Sequence, residues 1–132
     1  MKREILFRGA RVCDGHFVNG SLVEVNGECD SNESVPHIVI SYGPDTFDWF
    51  EVEPETVGQC IGISDKRGIE IFEDDIVKYF EPHSKTWHTR IVRWDWRFAG
   101  FGLFDKESEW CKESDWLKIK DIEVIGNIHD NK

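Results

Sequence analysis

The chain has 132 residues, with 16 basic against 26 acidic side chains and a formal charge of −10. That balance favours solubility and opposes non-specific attraction to nucleic acid or anionic lipid. No apolar run approaches the roughly 20 residues needed to cross a bilayer, and the opening MKREILFRG lacks the apolar core of a signal peptide. A cytoplasmic protein with no membrane contact is therefore expected, as one domain over residues 1–132 with candidate subdomains 1–56 and 57–132. Cys13, Cys29, Cys60 and Cys111 are too widely spaced for a CxxC redox or zinc element and are expected as separate thiols.

In chain order, Ile5 to Phe7 predicts a short first strand. Phe17 to Val23 reads as a hairpin turning at Asn19-Gly20, a dipeptide that readily accepts positive φ. Asn26-Gly27 would end its second strand, and the polar stretch 28–34 is a loop. His37 to Tyr42 and Phe47 to Val52 are further strands, and Pro54 keeps the latter from continuing as a central one. From Val57, Ile61 and Ile63 lead into a turn at Asp65-Lys66-Arg67-Gly68. An acidic corner at Glu73-Asp74-Asp75 follows and opens a strand over Ile76 to Phe80.

Trp87 to Phe98 reads as one long half-buried strand, with Val92, Trp94, Trp96 and Phe98 on the core face. Residues 105–115 are the best helical candidate, although low in apolar content. Ile122 to Ile128 closes the chain, bent at Gly126. The expected fold is mainly β: short antiparallel strands forming a small, partly open SH3-like barrel in the second half, with an N-terminal β-hairpin subdomain packed on it.

Two stretches carry a family likeness. IGISDKRGIEIFEDDIV, residues 61–77, and VIGNIHD, residues 124–130, resemble the pattern of the YopX family of small phage and prophage proteins. In that pattern a glycine stands where this chain has Asp74, which implies a backbone position with positive φ. The resemblance implies a phage or prophage origin and no particular activity. Asp65, Gly68, Asp74, Asp75 and Gly126 are accordingly structural turn positions.

No assembled catalytic chemistry is visible. Asp65, Glu70, Glu73, Asp74 and Asp75 form the densest acidic group, but no HExxH, CxxC or calcium-loop spacing accompanies them. A metal-dependent hydrolase is thus the third choice, and no cofactor is expected. The histidines stand singly, and no glycine-rich phosphate loop is present.

Lys85, Trp87, Arg90, Arg93 and Arg97 interleave with Trp94 and Trp96. That is the pattern of a strand that stacks bases and meets phosphates, and equally of a core strand with a solvated basic edge. The leading expectation is a non-enzymatic interaction or assembly protein; a small nucleic-acid-binding module using residues 85–98 is the alternative. Six tryptophans and nine phenylalanines exceed what such segments can bury. They point to a homo-oligomer, with a phage or host protein as the other partner class.

Overall fold

The computed structural model of the chain describes residues 5–26, 34–116 and 119–129. Internal contacts separate two compact units, Met1–Cys60 and Ile61–Lys132. The second strand ends at Asn26, as expected, whereas Gly27 and nearly all of the loop over 28–34 lie outside the described residues, as do Cys29 and Leu117.

In the first unit β1 (Phe7–Ala10), β2 (Phe17–Asn26), β3 (Ser34–Gly43) and β4 (Thr46–Glu51) are followed by a 3-10 turn, Pro54–Thr56, and by the start of β5 (Gly58–Ser64). Their order in the sheet is β4-β3-β2-β1-β5. The hairpin expected at Asn19-Gly20 is not formed. Strand β2 runs straight through it, with Arg8 opposite Asn19 and Phe7 opposite Gly20.

The chain turns earlier, where the Asp14 carboxylate accepts the N–H of His16 at 2.9 Å and the Arg11 Nε–H at 3.0 Å, and Gly15 takes φ +76°. The glycine at position 20 serves close approach: a Cβ there would lie 2.4 Å from the carbonyl oxygen of Val39. Ala10, Ile38, Val52 and Thr56 are buried. The Thr56 hydroxyl accepts the Ala10 N–H at 2.9 Å and donates to the Glu53 carbonyl at 2.7 Å, tying the 3-10 turn to β1.

The second unit continues with β6 (Glu70–Phe72), β7 (Asp75–Glu81), β8 (Thr86–Asp95), β9 (Gly100–Phe104), β10 (Cys111–Glu113) and β11 (Lys120–Asn127). Five of these form a sheet in the order β10-β9-β8-β7-β11, while β6 pairs with β5 at the end of the six-stranded sheet. The SH3-like barrel is therefore not present. Strand β11 returns beside β7 instead of bridging to β10, and β5 and β6 belong to the other sheet. Both antiparallel sheets stay open.

Ile71, Val77, Tyr79, Val92 and Leu103 make a buried cluster in this unit, with Ile61, Trp116, Ile119, Ile122 and Val124 packed against it, and Phe72, Ile91 and Phe104 are buried as well. Burying each large aliphatic side chain contributes roughly 1.5–3 kcal/mol.

Two further expectations fail here for local reasons. Residues 105–115 form no helix; a turn at Lys106-Glu107 leads to β10, where Cys111 pairs with Phe104. Too few apolar side chains stand at helical spacing to cover one face. The long strand over 87–98 ends at Asp95, whose buried carboxylate accepts the Arg97 N–H at 2.9 Å and turns the chain. Trp96 and Phe98 thus leave the period-two frame, and Trp96, Trp94 and Phe98 are exposed instead of forming the core.

Asp65 closes the second unit. Its Oδ1 accepts the N–H groups of Arg67 (2.8 Å) and Ile69 (2.9 Å), and its Oδ2 accepts the N–H of Val124 on β11 (3.0 Å). Lys66 adds an N–H to the Ile122 carbonyl at 3.0 Å. Burial raises the Asp65 pKa, but the Val124, Ile69 and Arg67 N–H groups and the Arg67 charge outweigh it, and the carboxyl sits below its ordinary value of 3.8.

Replacing Asp65 with Ala is expected to cost roughly 2–4 kcal/mol in denaturant unfolding, since three backbone donors lose a charged acceptor. The depressed folded pKa also fixes a sign. Its contribution is complete above pH 3.8 and is lost as pH falls through the lower folded value. Acid titration of unfolding should therefore show a steeper loss below that point in the wild type than in Asp65→Asn.

Candidate functional site

The acidic residues of the Asp65–Asp75 stretch do not converge on a common centre. Asp75, fully buried, accepts the Phe72 N–H at 2.8 Å and closes its own corner. Asp74 adopts φ +70°, in the left-handed region. Its backbone carbonyl accepts the Ile128 N–H at 3.0 Å, and its carboxylate meets His129 Nε2 at 3.2 Å. Gly68 takes φ +82° in the first turn. Gly126 pairs with Ile76 at a register shift from the Val124–Val77 pair, which is a bulge. Among the described residues no three His, Cys, Asp or Glu side chains gather as metal ligands. Cys13, Cys60 and Cys111 are free thiols.

The basic-aromatic strand divides into two places. Trp87 and Trp94 stand seven residues apart on β8, or ~23 Å at about 3.3 Å per residue, and point to opposite faces of the sheet. Lys85 lies in the exposed turn before β8, with φ +58°. Trp87 packs edge-on against Phe80 at 5.5 Å, with the ammonium groups of Lys78 and Lys66 5.7 and 5.9 Å from its ring. Arg90 pairs with Asp105 at 2.9 Å, so its charge is answered within the fold.

Past Trp94 the picture differs. Trp94 stacks edge-on against Phe101 at 5.1 Å. Arg97 lies 5.3 Å from the Trp96 ring and 4.2 Å from the Trp110 ring, donates to the Glu109 carbonyl at 3.0 Å, and contacts Asp95 at 3.5 Å. Arg93, Trp94, Trp96 and Arg97 also line a cavity of about 370 Å³. Trp96 is 76% exposed, and Trp94 and Trp110 are exposed as well. The resulting surface is a guanidinium held between two indoles at the β8–β9 turn.

At the other end of the β7–β8 hairpin is a polar constellation the sequence did not single out. Glu81 Oε2 meets His88 Nε2 at 2.7 Å and accepts the Ser84 hydroxyl at 3.0 Å. His88 Nδ1 lies 3.4 Å from an Arg90 Nη, so an Nε2–H tautomer satisfies both neighbours. Hydrogen bonding to His88 and then Ser84 holds the Glu81 carboxyl below its usual range. The Tyr79 ring lies 5.6 Å from that of His88. The signal was available: period two places His88 and Arg90 on the face of Val92, an unusual position for polar residues.

The fold and this distribution of side chains define a mainly-β protein of two open antiparallel sheets, in which the two patterned stretches meet each other across β7 and β11. The chain belongs to the YopX family of phage-associated proteins, the YopX protein model matching residues 6–132. The crystal structure of protein EF1440 from Enterococcus faecalis is similar, at 22% identity over 98% of this chain and 96% of that one, with a TM-score of 0.53. That likeness bears on the fold alone. No curated protein matches the chain.

At Asp74, φ strain works against a partly exposed contact to His129 that is worth little. Asp74→Gly is expected to leave stability unchanged or raise it by up to about 1 kcal/mol, through relief of the positive φ and of repulsion from Glu73 and Asp75. Denaturant unfolding measures the balance. A loss above about 1 kcal/mol would assign the corner to the Asp74–His129 contact instead.

Proposed function

We propose that this chain is a non-enzymatic interaction or assembly protein, acting as a homo-oligomer and through contact with a phage or host protein. The observation that carries the reading is the exposed Trp96–Arg97–Trp110 stack, in which the β8–β9 turn meets the stretch before β10. Indole and guanidinium groups are enriched at the centres of protein interfaces, and a side chain already held in place loses less entropy on docking. The four contacts to Arg97 supply that order.

Trp49 and Phe47 add an exposed aromatic pair on β4, the terminal strand of its sheet, 5.8 Å apart. Exposed edges of this kind are commonly covered by another chain. The buried carboxylates Asp65, Asp75 and Asp95 accept backbone N–H groups, which supports the non-enzymatic reading. No helix among the described residues is long and apolar enough to cross a membrane.

Sedimentation velocity over a ten-fold micromolar range tests the oligomer. Species heavier than 15.4 kDa are expected, joined by interfaces of at least ~1,000 Å². Trp96→Ala with Trp110→Ala should shift them toward monomer without lowering the melting temperature. A single 15.4 kDa species throughout the range would remove the homo-oligomer and leave a hetero-partner.

The exposure of Trp94 and Trp96 beside Arg93 and Arg97 favours a second reading, single-stranded nucleic-acid binding by stacking. It is the weaker one, because Arg90 and Arg97 already have acidic partners and the chain carries −10 overall. Anisotropy titration with single- and double-stranded DNA and with RNA is expected to give dissociation constants above about 10 μM near physiological salt. Tighter, salt-sensitive binding that disappears in Arg93→Ala and Arg97→Ala would put this reading first.

A further inference from the structure

An open sheet ends on strands whose outer N–H and C=O groups have no neighbouring strand to meet them, and folded chains cover or blunt such edges. At β11 the cover comes from within the unit. The Val124 N–H goes to Asp65, the Val124 carbonyl accepts from Arg67, and the Ile122 carbonyl accepts from Lys66. Strand β4, at the end of the six-stranded sheet, is covered only at its last residue, where the Glu51 carbonyl accepts the Val12 N–H at 3.0 Å. Successive residues of an antiparallel strand direct their polar backbone groups to opposite sides. The Val52 N–H points to β3, donating to the Pro36 carbonyl at 3.1 Å, and Glu51 points away from it. Trp49 and Phe47 therefore point away as well. No hydrogen bond among the described residues reaches their N–H and C=O groups on that side.

The side chains around this edge set the chemistry of what can pair with it. Phe47 and Trp49 share a face of the β3–β4 pair with His37, and the rings of Phe47 and His37 lie 5.8 and 6.1 Å from that of Trp49. Asp45, Asp48 and Glu51 stand beside them, exposed, with no cation paired to them among the described residues. Arg11, which reaches the Phe50 ring, is paired with Asp14. Residues 1–56 as a whole carry 4 basic against 11 acidic side chains. Where the free stretch ends, a cavity of about 300 Å³ opens, lined by Arg11, Val12, Cys13, Trp49, Phe50 and Glu51.

A second copy of β4 fits this edge badly. Pairing Phe47 of one copy with Trp49 of the other would set the two Asp48 side chains directly opposite, where like charges are destabilising. A strand with Lys or Arg at alternate positions meets the reverse condition. Its cationic groups answer Asp48 and Glu51, and their carbon stems lie on the exposed rings.

We propose that the free edge of β4 at Phe47 and Trp49 is a docking site for an extended basic segment of a partner protein, which adds as a further strand and seats one side chain in the cavity beside Trp49 and Glu51. The proposal rests on the interaction function assigned above and names the chemistry that its phage or host partner presents. It makes no use of Trp96, Arg97 or Trp110.

The test is NMR titration and amide hydrogen exchange on the full-length labelled chain. The probe is a capped Thr-Lys-Val-Arg-Val-Lys-Thr peptide. One control carries Glu at each basic position, and the other carries Pro at both valine positions, which breaks strand pairing. With the basic peptide alone, saturable shifts along β4 are expected, and the Phe47 and Trp49 amide protons should exchange at least about tenfold more slowly at saturation. Trp49→Ala should weaken binding about tenfold. Asp48→Lys with Glu51→Lys should switch the preference to the acidic peptide without lowering the melting temperature. Absence of saturable shifts, equal binding of either control, or shifts without slower exchange at Phe47 and Trp49 would overturn the proposal. Slower exchange there when the protein alone is concentrated would overturn it too, giving the edge to a second copy. A single 15.4 kDa species in sedimentation, with the peptide effect intact, would remove only the homo-oligomer, so the two readings fail separately.

Discussion

The Asp65 carboxylate is the constraint on which the second unit depends. It sits at a tight turn, where a short acidic side chain can reach the N–H groups of the next residues, Arg67 and Ile69. Its second oxygen is free to reach beyond the turn, and it takes the Val124 N–H, 59 positions along the chain. One side chain thereby fixes both a local turn and the return of β11. Arg67 repeats the connection by donating to the Val124 carbonyl at 2.7 Å. With β11 held there, Val124 pairs with Val77 and completes the cover over Ile71, Val92 and Leu103. A charged group can be this deep only because hydrogen bonds meet it on several sides.

The same logic explains why the acidic residues of the Asp65–Asp75 stretch do not converge on a common centre. Among the described residues Asp65, Asp75 and Asp95 are the buried carboxylates, and each stands where the backbone changes direction. Each accepts N–H groups two to four residues onward or, for Asp75, three residues back. The two stretches that carry the family pattern meet through these contacts: Asn127 lies opposite Asp75, and the Ile128 N–H reaches the Asp74 carbonyl. A pattern split between the middle and the end of the sequence is one strand pair in space. Its residues are accounted for by turn and bulge geometry, so the pattern itself identifies no reaction.

How much of this was legible follows from how local each cause is. The turn at Asp65–Gly68, the corner before β7 and the bend near Gly126 depend on residues a few positions apart, and the sequence displays them. Asn19-Gly20 misled because a short-range turn signal competes with the tertiary need for a residue without a Cβ beneath the Val39 carbonyl. Closure into a barrel was illegible for a different reason. Whether β11 joins β7 or β10 depends on the Asp65–Val124 contact, and no short-range signal carries it. Trp96 and Phe98 failed at a strand end: alternation predicts a face only while the strand continues, and Asp95 stops it. Trp94, still within β8, is exposed for a reason alternation does not carry. Of the candidate surface, Arg93, Arg97 and the neighbouring indoles were visible as a pattern, whereas Trp110 was hidden in a segment read as helix.

These strand-end effects also explain the uneven placement of aromatic mass. The buried cluster around Ile71 is aliphatic apart from Tyr79, Phe72 and Phe104 of the same unit are buried too, and Trp116 packs against the cluster, donating its indole N–H to the Phe101 carbonyl at 3.0 Å. Trp49, Trp87, Trp94, Trp96 and Trp110 all lie outside and exposed. Singly exposed apolar residues are ordinary on any surface. The arrangement at Arg97 is a different case, because two indoles from separate stretches converge on a guanidinium that the backbone of Glu109 also holds. Ordering a long arginine side chain costs conformational entropy, and here that cost is met before any partner arrives. A surface assembled in this way presents flat apolar rings and a fixed donor together, which is the combination a protein interface uses at its centre.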